Sequence, residues 1–436
     1  MIDETHNPGL QSWVESANEE EAGFPIQNLP FGVFSDTEDA RVGVAIGDRV
    51  LDVTACVRER LLERTRASAA CAAGSLNSLM ALDRSDLRSF RKELSDLLRA
   101  DTEQGERAAQ VEQVIMRRAD EVTLEMPVVI GDYTDFYSSV NHATNVGSMF
   151  RPDNPLLPNY KYVPIGYHGR ASSIVRNGTA IRRPQGQTKA ADSIAPQFGA
   201  SKMLDYECEL GFFASGGNRL GDTIPISRAT DHIFGFCLVN DWSARDIQAW
   251  EYQPLGPFLA KNFATTISSW VVTADAVEPY RTAVPPRPAG DPMPLDYLDS
   301  HEDREGGAIN AFLEVYLTTE RTRAEGSSPV RLSRAPFSSM YWTVAQMLAH
   351  HASNGCNLRP GDLLASGTVS GDTPDSRGCL LELTWRGTQP VTLPNGEERR
   401  FLQNGDEVIM KGSLEAAGMK TIGFGECRGI VLPASD

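Results

Sequence analysis

Seven cysteines are too few and too scattered to staple a chain of 436 residues. Cys56, Cys71, Cys208, Cys237, Cys356, Cys379 and Cys427 form an odd set with no C-x-x-C pair. That excludes a disulfide framework and predicts reduced thiols used as buried filler. The chain also lacks any stretch approaching the ~18 consecutive apolar residues of a membrane span. Its opening residues, MIDETHNPGLQSWVESANEEEAG, are acidic and carry no apolar run, so neither a secretory signal nor a transit peptide is expected. Basic runs are missing too. With 41 Lys and Arg against 58 Asp and Glu the formal charge is −17, which repels nucleic-acid phosphates and anionic lipid headgroups. A soluble, cytoplasmic protein with no nucleic-acid or membrane partner is expected. Neither G-x-S-x-G nor a P-loop occurs, so a nucleophile-elbow serine and a phosphate-cradling loop are not indicated.

What is present is ordinary globular composition, 41% hydrophobic and 23% charged. At roughly 150 residues per domain the length predicts two or three domains. FGVFS from Phe31 and RVGVAIGDRVLDV from Arg41 have strand composition, with Gly47-Asp48 as a hairpin turn. Leu87, Phe90, Leu94, Leu97 and Leu98 then follow helical spacing behind a Ser85 N-cap. After Pro127 the texture changes to short β-branched and aromatic runs broken by Gly, Pro, Asn and Asp, which predicts a mainly β region. The expected units are 1–127 and 128–436. Thr282 to Gly307 and Thr388 to Arg400 read as surface loops.

Four segments carry chemistry. In LDYECELGFF, Glu207 and Glu209 stand two apart in a strand, so both carboxylates leave the same face. Either that face is solvated, or a hard divalent cation collects the oxygens. IGDYTDFYSSVNHATNVG supplies Asp132, Tyr133, Asp135, Tyr137 and His142 in a loop-like stretch, read either as an exposed turn or as a site with a histidine base. In VNDWSARDIQAWEYQPLGPFLAKNFATT, Asp241 follows an apolar run, and Arg245, Gln248 and Tyr252 share one face if the segment is helical. Lys261 and Thr265 lie beyond the Gly256-Pro257 turn. GDLLASGTVSGDTPDSRGCLLEL places Thr368 on a loop and Glu382 on a following strand. His350 and His351 sit where a helix should end, and the helix dipole explains them better than metal ligation.

The order and wording of DYTDFYSS, HATNVGSMFR, PIGYHGRASS, LDYECELGFF, NDWSARDIQAWEYQPLGPFLAKNFATT and LASGTVSGD resemble the fumarylacetoacetate hydrolase (fumarylacetoacetase) family from Gly131 onward. The N-terminal part resembles it more loosely. The resemblance implies a mainly β, α+β protein with an SH3-like N-terminal domain, a C-terminal mixed β-roll and a homodimeric assembly. It implies Ca²⁺ on Asp135, Glu207, Glu209 and Asp241, and a second cation, Mg²⁺, near Asp241, Lys261 and Thr265. Substrate contacts are implied for Tyr137, Arg151, Tyr167, Gln248, Tyr252 and Thr368. A water-activating pair is implied for His142 and Glu382, with Arg245, Gln248 and Lys261 stabilising the oxyanion. The implied reaction is hydrolysis of a carbon–carbon bond in a β-diketone dicarboxylate, the last step of tyrosine and phenylalanine breakdown. A related hydrolase acting on acylpyruvates is the alternative. Ala260 and Asn262 depart from the family's usual Gly and Ser, and neither removes an implied ligand side chain.

Overall fold

A computed structural model describes residues 2–36 and 39–435. Near the N-terminus, Phe31–Ser35, Arg41–Ile46 and Arg49–Asp52 form an antiparallel meander, extended by Met116–Arg118 on one side and Thr123–Leu124 on the other. This half-barrel is the small β unit that the composition predicted, and it matches the SH3-like domain that the resemblance implied. Gly47 makes the predicted hairpin turn at φ +55, and a Cβ there would come within 2.3 Å of Ser16 Oγ, so both conformation and space require glycine. The long helix Arg84–Leu98 buries Phe90, Leu94, Leu97 and Leu98. Its N-cap is Asp83, not Ser85: Asp83 holds the extended conformation, and Ser85 is already inside the first turn.

The C-terminal region curls a mixed sheet of eight strands. Its order runs Gly166–Gly169, Tyr133–Phe136, Leu363–Ala365, Cys208–Ala214, Ile233–Asp241, Thr265–Ile267 and Ile174–Arg176, with Val272–Thr273 also paired to Ile233–Asp241. A second sheet, Val330–Pro336, Ala311–Thr318, Glu407–Leu414, Ile422–Leu432 and Ile181–Arg182, packs beside it. The two central strands, Cys208–Ala214 and Ile233–Asp241, are buried along their whole length and read as continuous rather than alternating apolar runs.

Two large apolar cores result. One fills the space between the two C-terminal sheets. The other is shared: Val33, Val44, Leu51, Phe90 and Leu94 pack in one cluster with Phe213, Phe234, Cys237, Val239 and Leu363. The N-terminal half-barrel therefore rests against the back of the strands that carry the acidic residues. All seven cysteines are free, and six are buried; Cys356 is half-exposed, an exception to the filler reading. Among the described residues no helix is long and apolar enough to cross a membrane. The stretch from Thr282 to Gly307 is less irregular than expected, containing the short helix His301–Gly306.

Candidate active site

Sheet register assembles the acids. Asp135 pairs across to Ala365, which in turn faces Gly211, while Glu209 and Asp241 lie on the adjoining strands. Small residues between them let four carboxylates converge. One oxygen from each of Asp135, Glu207, Glu209 and Asp241 lies within 4.8 Å of the others, and all four residues are buried. The segment carrying Asp135 is not a loop, as its polarity suggested, but the strand Tyr133–Phe136 followed by the helix Val140–Phe150.

Two cations oppose this charge. Lys261 Nζ lies 2.6 Å from Glu207 Oε2 and 2.6 Å from Asp241 Oδ2, and Arg245 Nη1 lies 2.5 Å from Glu207 Oε1. Asp241 also accepts from Tyr167 OH at 2.7 Å and Thr265 Oγ1 at 2.9 Å. Burial works against ionisation of Glu207, but Lys261 and Arg245 outweigh it and hold the carboxyl well below its usual range. At Glu209 the charge of Lys261 pulls the same way but is outweighed. Both Glu209 oxygens are buried without a hydrogen-bond partner. Burial, then the charges of Asp135 and Asp241, push its carboxyl far up, and burial with Asp241 does the same to Asp135.

This donor set fits a hard divalent cation. It offers carboxylate oxygens only, with the two Glu209 oxygens unclaimed, and contains no thiolate or imidazole. At the second implied position, Asp241 and Thr265 present oxygens, whereas the Lys261 ammonium has no lone pair and could reach a cation only through its main-chain carbonyl. A cavity of about 390 Å³ opens beside these three residues, lined also by Tyr133, Tyr167 and Asn262.

Next to the acids stands a second buried group. Ser139 caps the helix Val140–Phe150 by accepting from His142 N at 3.2 Å, which fixes the imidazole in the first turn. His142 Nδ1 lies 2.6 Å from Glu382 Oε2 across 240 positions of sequence. Glu382 sits in a short helix, Leu380–Leu383, not on the expected strand. The cause is Asp205, whose carboxylate accepts from Leu380 N at 2.8 Å and Leu381 N at 2.9 Å and so turns the apolar run into a helical start. Asn145 Nδ2 at 2.8 Å, Ser370 Oγ at 2.8 Å and Cys379 Sγ at 3.3 Å complete the surroundings of Glu382. Burial opposes its ionisation, yet His142, Asn145 and Ser370 hold its carboxyl down at about 2. His142 in turn is near enough to Glu207 to help lower that carboxyl, so the two groups form one site.

The remaining implied residues divide. Tyr137 packs edge-on to His142 at 5.3 Å between ring centroids. Thr368 is buried with its hydroxyl unpartnered, on the loop that Gly367 starts by donating its N–H to Asp135 Oδ1 at 3.1 Å. Arg245 Nη2 lies 3.0 Å from Asp205 Oδ2 in a buried ion pair, and Gln248 Oε1 accepts from Arg245 Nη1 at 3.4 Å. Arg245, Gln248 and Tyr252 do lie along one helix and its C-cap, Arg245–Glu251 plus Tyr252. Arg151, by contrast, is exposed just past the C-terminus of its helix and bonds the Pro155 carbonyl of its own loop. Tyr167 spends its hydroxyl on Asp241. His350 and His351 end the helix Val344–Ala352 and bond Tyr297 and Thr134, outside either cluster. Asp132 lies on the surface, paired with Arg359.

Sequence reading missed Asp205, Asn145, Ser370 and Cys379. Asp205 was findable, since it continues the two-residue step of Glu207 and Glu209. It accepts from Arg245 Nε at 3.0 Å and so ties the cationic helix to the helix of Glu382.

Comparison with known proteins agrees with this architecture. The family model described as fumarylacetoacetate (FAA) hydrolase C-terminal matches residues 132–431, and the one described as fumarylacetoacetase N-terminal matches residues 27–127. The fumarylacetoacetase of Rattus norvegicus is 50% identical over 429 residues, covering 95% of this chain and 97% of the rat chain. That of Homo sapiens is 49% identical over 422 residues, with coverage of 95% and 97%. Among solved structures, a fumarylacetoacetate hydrolase from Exiguobacterium antarcticum shares the fold, with a TM-score of 0.51 at 18% identity over 93% of this chain and 99% of that one. With both family models matched in order and near-full-length relatives at half identity, the chain belongs to the fumarylacetoacetate hydrolase family.

Proposed function

We propose that the protein hydrolyses fumarylacetoacetate to fumarate and acetoacetate, cleaving the carbon–carbon bond of a β-diketone. The observation that carries this reading is the placement of a His–Glu pair beside four converging carboxylates, in a chain half identical to fumarylacetoacetases along nearly its full length. With Nδ1 donating to Glu382, His142 keeps Nε2 as a proton acceptor, and Glu382 fixes that tautomer and stabilises the imidazolium that forms. His142 Nε2 takes a proton from water as the oxygen adds to the diketone carbonyl. The tetrahedral oxyanion is met by the guanidinium charge of Arg245, by the NH₂ of Gln248, and by Lys261, which has one ammonium hydrogen beyond those directed at Glu207 and Asp241. Collapse breaks the carbon–carbon bond, and the electron pair leaves as an enolate. Asp135, Glu207, Glu209 and Asp241 would hold Ca²⁺, with Mg²⁺ at Asp241, Lys261 and Thr265. When bound, the first cation supplies Lewis acidity that polarises the attacked carbonyl and stabilises the enolate.

The substrate is a dianion in a chain of charge −17, so it needs local donors. Tyr137, Tyr252 and Thr368 would supply hydroxyls and Arg151 a guanidinium. For Arg151 that requires release from Pro155, and for Tyr167 it requires release from Asp241. The same reading includes a homodimer in the cytoplasm. Leu255 and Phe258, exposed by 97% and 65% on the segment after Tyr252, offer apolar surface to a second copy, and sedimentation would measure the assembly.

The test is loss of fumarylacetoacetate ultraviolet absorbance before chelation, after it, and after Ca²⁺ or Mg²⁺ is restored, with acylpyruvates assayed in parallel. Metal-dependent turnover of fumarylacetoacetate is expected. Turnover confined to acylpyruvates would replace the substrate assignment, and no turnover of either would remove it.

A further inference from the structure

Cys379 has no part in the mechanism above, yet its sulfur lies 3.3 Å from Glu382 Oε2, the same oxygen that His142 Nδ1 approaches at 2.6 Å. We propose that His142, Cys379 and Glu382 form a second, sulfur-containing metal site that takes a borderline-soft divalent cation such as Zn²⁺ or Cd²⁺ and, when filled, disables the base. The inhibitory half of this rests on the reading of His142 given above; the binding half does not.

One ligand atom from each of the three residues lies within 4.8 Å of the other two, and all three residues are buried. Zinc bonds of ~2.0–2.3 Å to nitrogen, oxygen and sulfur in a tetrahedral arrangement set ligand edges of roughly 3.3–3.6 Å. The sulfur–carboxylate edge already has that length. The His142–Glu382 contact has to open by roughly 0.7 Å, a small rotation of one ring. Three protein ligands with an open fourth position is a common zinc arrangement.

Charge also balances. Burial, followed by the charge of Glu382, pushes the Cys379 thiol far up, so it is protonated and a poor nucleophile at neutral pH. Coordination removes that proton to solvent, and one thiolate with one carboxylate then neutralises the dication, as a buried position requires. The imidazole proton cannot stay on Nδ1 once the metal binds there, so it moves through solvent to Nε2. His142 then carries a hydrogen where it should accept one, and it can no longer activate water. Ca²⁺ and Mg²⁺ do not have this effect, because they take oxygen ligands and leave a thiol alone. The two neighbouring sites thus sort cations by softness: oxygen-only at Asp135, Glu207, Glu209 and Asp241, and nitrogen–sulfur–oxygen at His142, Cys379 and Glu382.

The test uses the calcium-loaded full chain carrying Cys356→Ser, which removes the half-exposed thiol. Titration with Cd²⁺ should develop a cadmium–thiolate ultraviolet charge-transfer band that saturates at one equivalent and is absent from Cys379→Ser and Cys379→Ala. In parallel, the Zn²⁺ concentration that halves each variant's own rate, at constant Ca²⁺, should rise at least ~10-fold on loss of the sulfur. Cys379→Ser keeps a hydroxyl donor to Glu382, so it separates soft ligation from hydrogen bonding. A band that survives both substitutions, or no band at all, would overturn the site. A Cys379-dependent band without inhibition would keep the site and instead overturn His142 as the base.

Discussion

Glu209 and Glu382 are both fully buried glutamates, yet Glu209 has no hydrogen-bond donor on either oxygen, while Glu382 is surrounded by His142, Asn145, Ser370 and Cys379. Burial alone would drive both carboxyls up. It does so for Glu209, whose neighbours Asp135 and Asp241 add to the effect, and it loses at Glu382, where the donors hold the value at about 2. The difference teaches what each group is for. A carboxylate surrounded by the chain's own donors is complete and has its charge fixed. One left among other acids is incomplete, and only a cation from outside can restore its charge without a large desolvation penalty.

The sharpest way to test this contrast is to remove the base on the complete side. His142→Ala should lower kcat by as much as ~10⁴-fold while leaving calcium affinity near the parent value, with Tm lowered because the buried Glu382 loses its main partner, measured by steady-state kinetics, calorimetric titration and thermal unfolding. Retained activity would cancel the role given to His142. Glu382→Gln should cost on the order of 10³-fold in kcat, because a neutral amide neither fixes the tautomer nor stabilises the imidazolium. It should also change acid stability. The Glu382 carboxyl is depressed from 4.5 to about 2, so its contribution is complete above 4.5 and is lost as pH falls toward 2. The parent should therefore lose stability over that window more steeply than Glu382→Gln, in chemical denaturation at stepped pH.

On the incomplete side the signs reverse. Glu209→Gln should weaken calcium binding at least ~10-fold through loss of a charged ligand. The same change should stabilise the metal-free protein by about 1–3 kcal/mol, because it removes an unpaired buried acid. Equal destabilisation of both forms would show that Glu209 is structurally satisfied after all. An effect of similar size is expected at Asp303, remote in sequence from both groups, where burial outweighs the hydrogen bond from Thr343 and raises the carboxyl from 3.8 to about 6. A raised carboxyl favours the protonated fold, so stability is full below about 3.8 and declines as pH rises through about 6. Asp303→Asn should accordingly gain at most about 3 kcal/mol at pH 7 and nothing at pH 4, read from urea midpoints.

Half of the carboxylate cluster was legible because strand periodicity is local: Glu207 and Glu209 declare a shared face within three residues, whereas Asp135 and Asp241 joined them only through the family resemblance. Helix Arg84–Leu98 and the Gly47 hairpin were visible for the same reason. Pairing across the chain was not. Nothing in composition joins His142 to Glu382, or Asp205 to the amides of Leu380 and Leu381, and only resemblance supplied the first of these. The misreading of LLEL as a strand has that same origin, since an apolar tetrad takes whatever shape its distant anchor imposes. The stretch around Asp135 misled in the opposite way. Its polar residues look like a loop because they serve the interior of a site, where Tyr133–Phe136 is buried throughout.

The shared core has a consequence for how the molecule is made. Val33, Leu51 and Leu94 find their packing partners in Val239 and Leu363, far downstream. During synthesis the first hundred or so residues leave the ribosome with that apolar face uncovered, and it stays uncovered until the strand Leu363–Ala365 has emerged. At ~5–20 residues per second that interval is on the order of ten to fifty seconds, long enough for a chaperone to be the first partner of a surface whose final partner has yet to be translated.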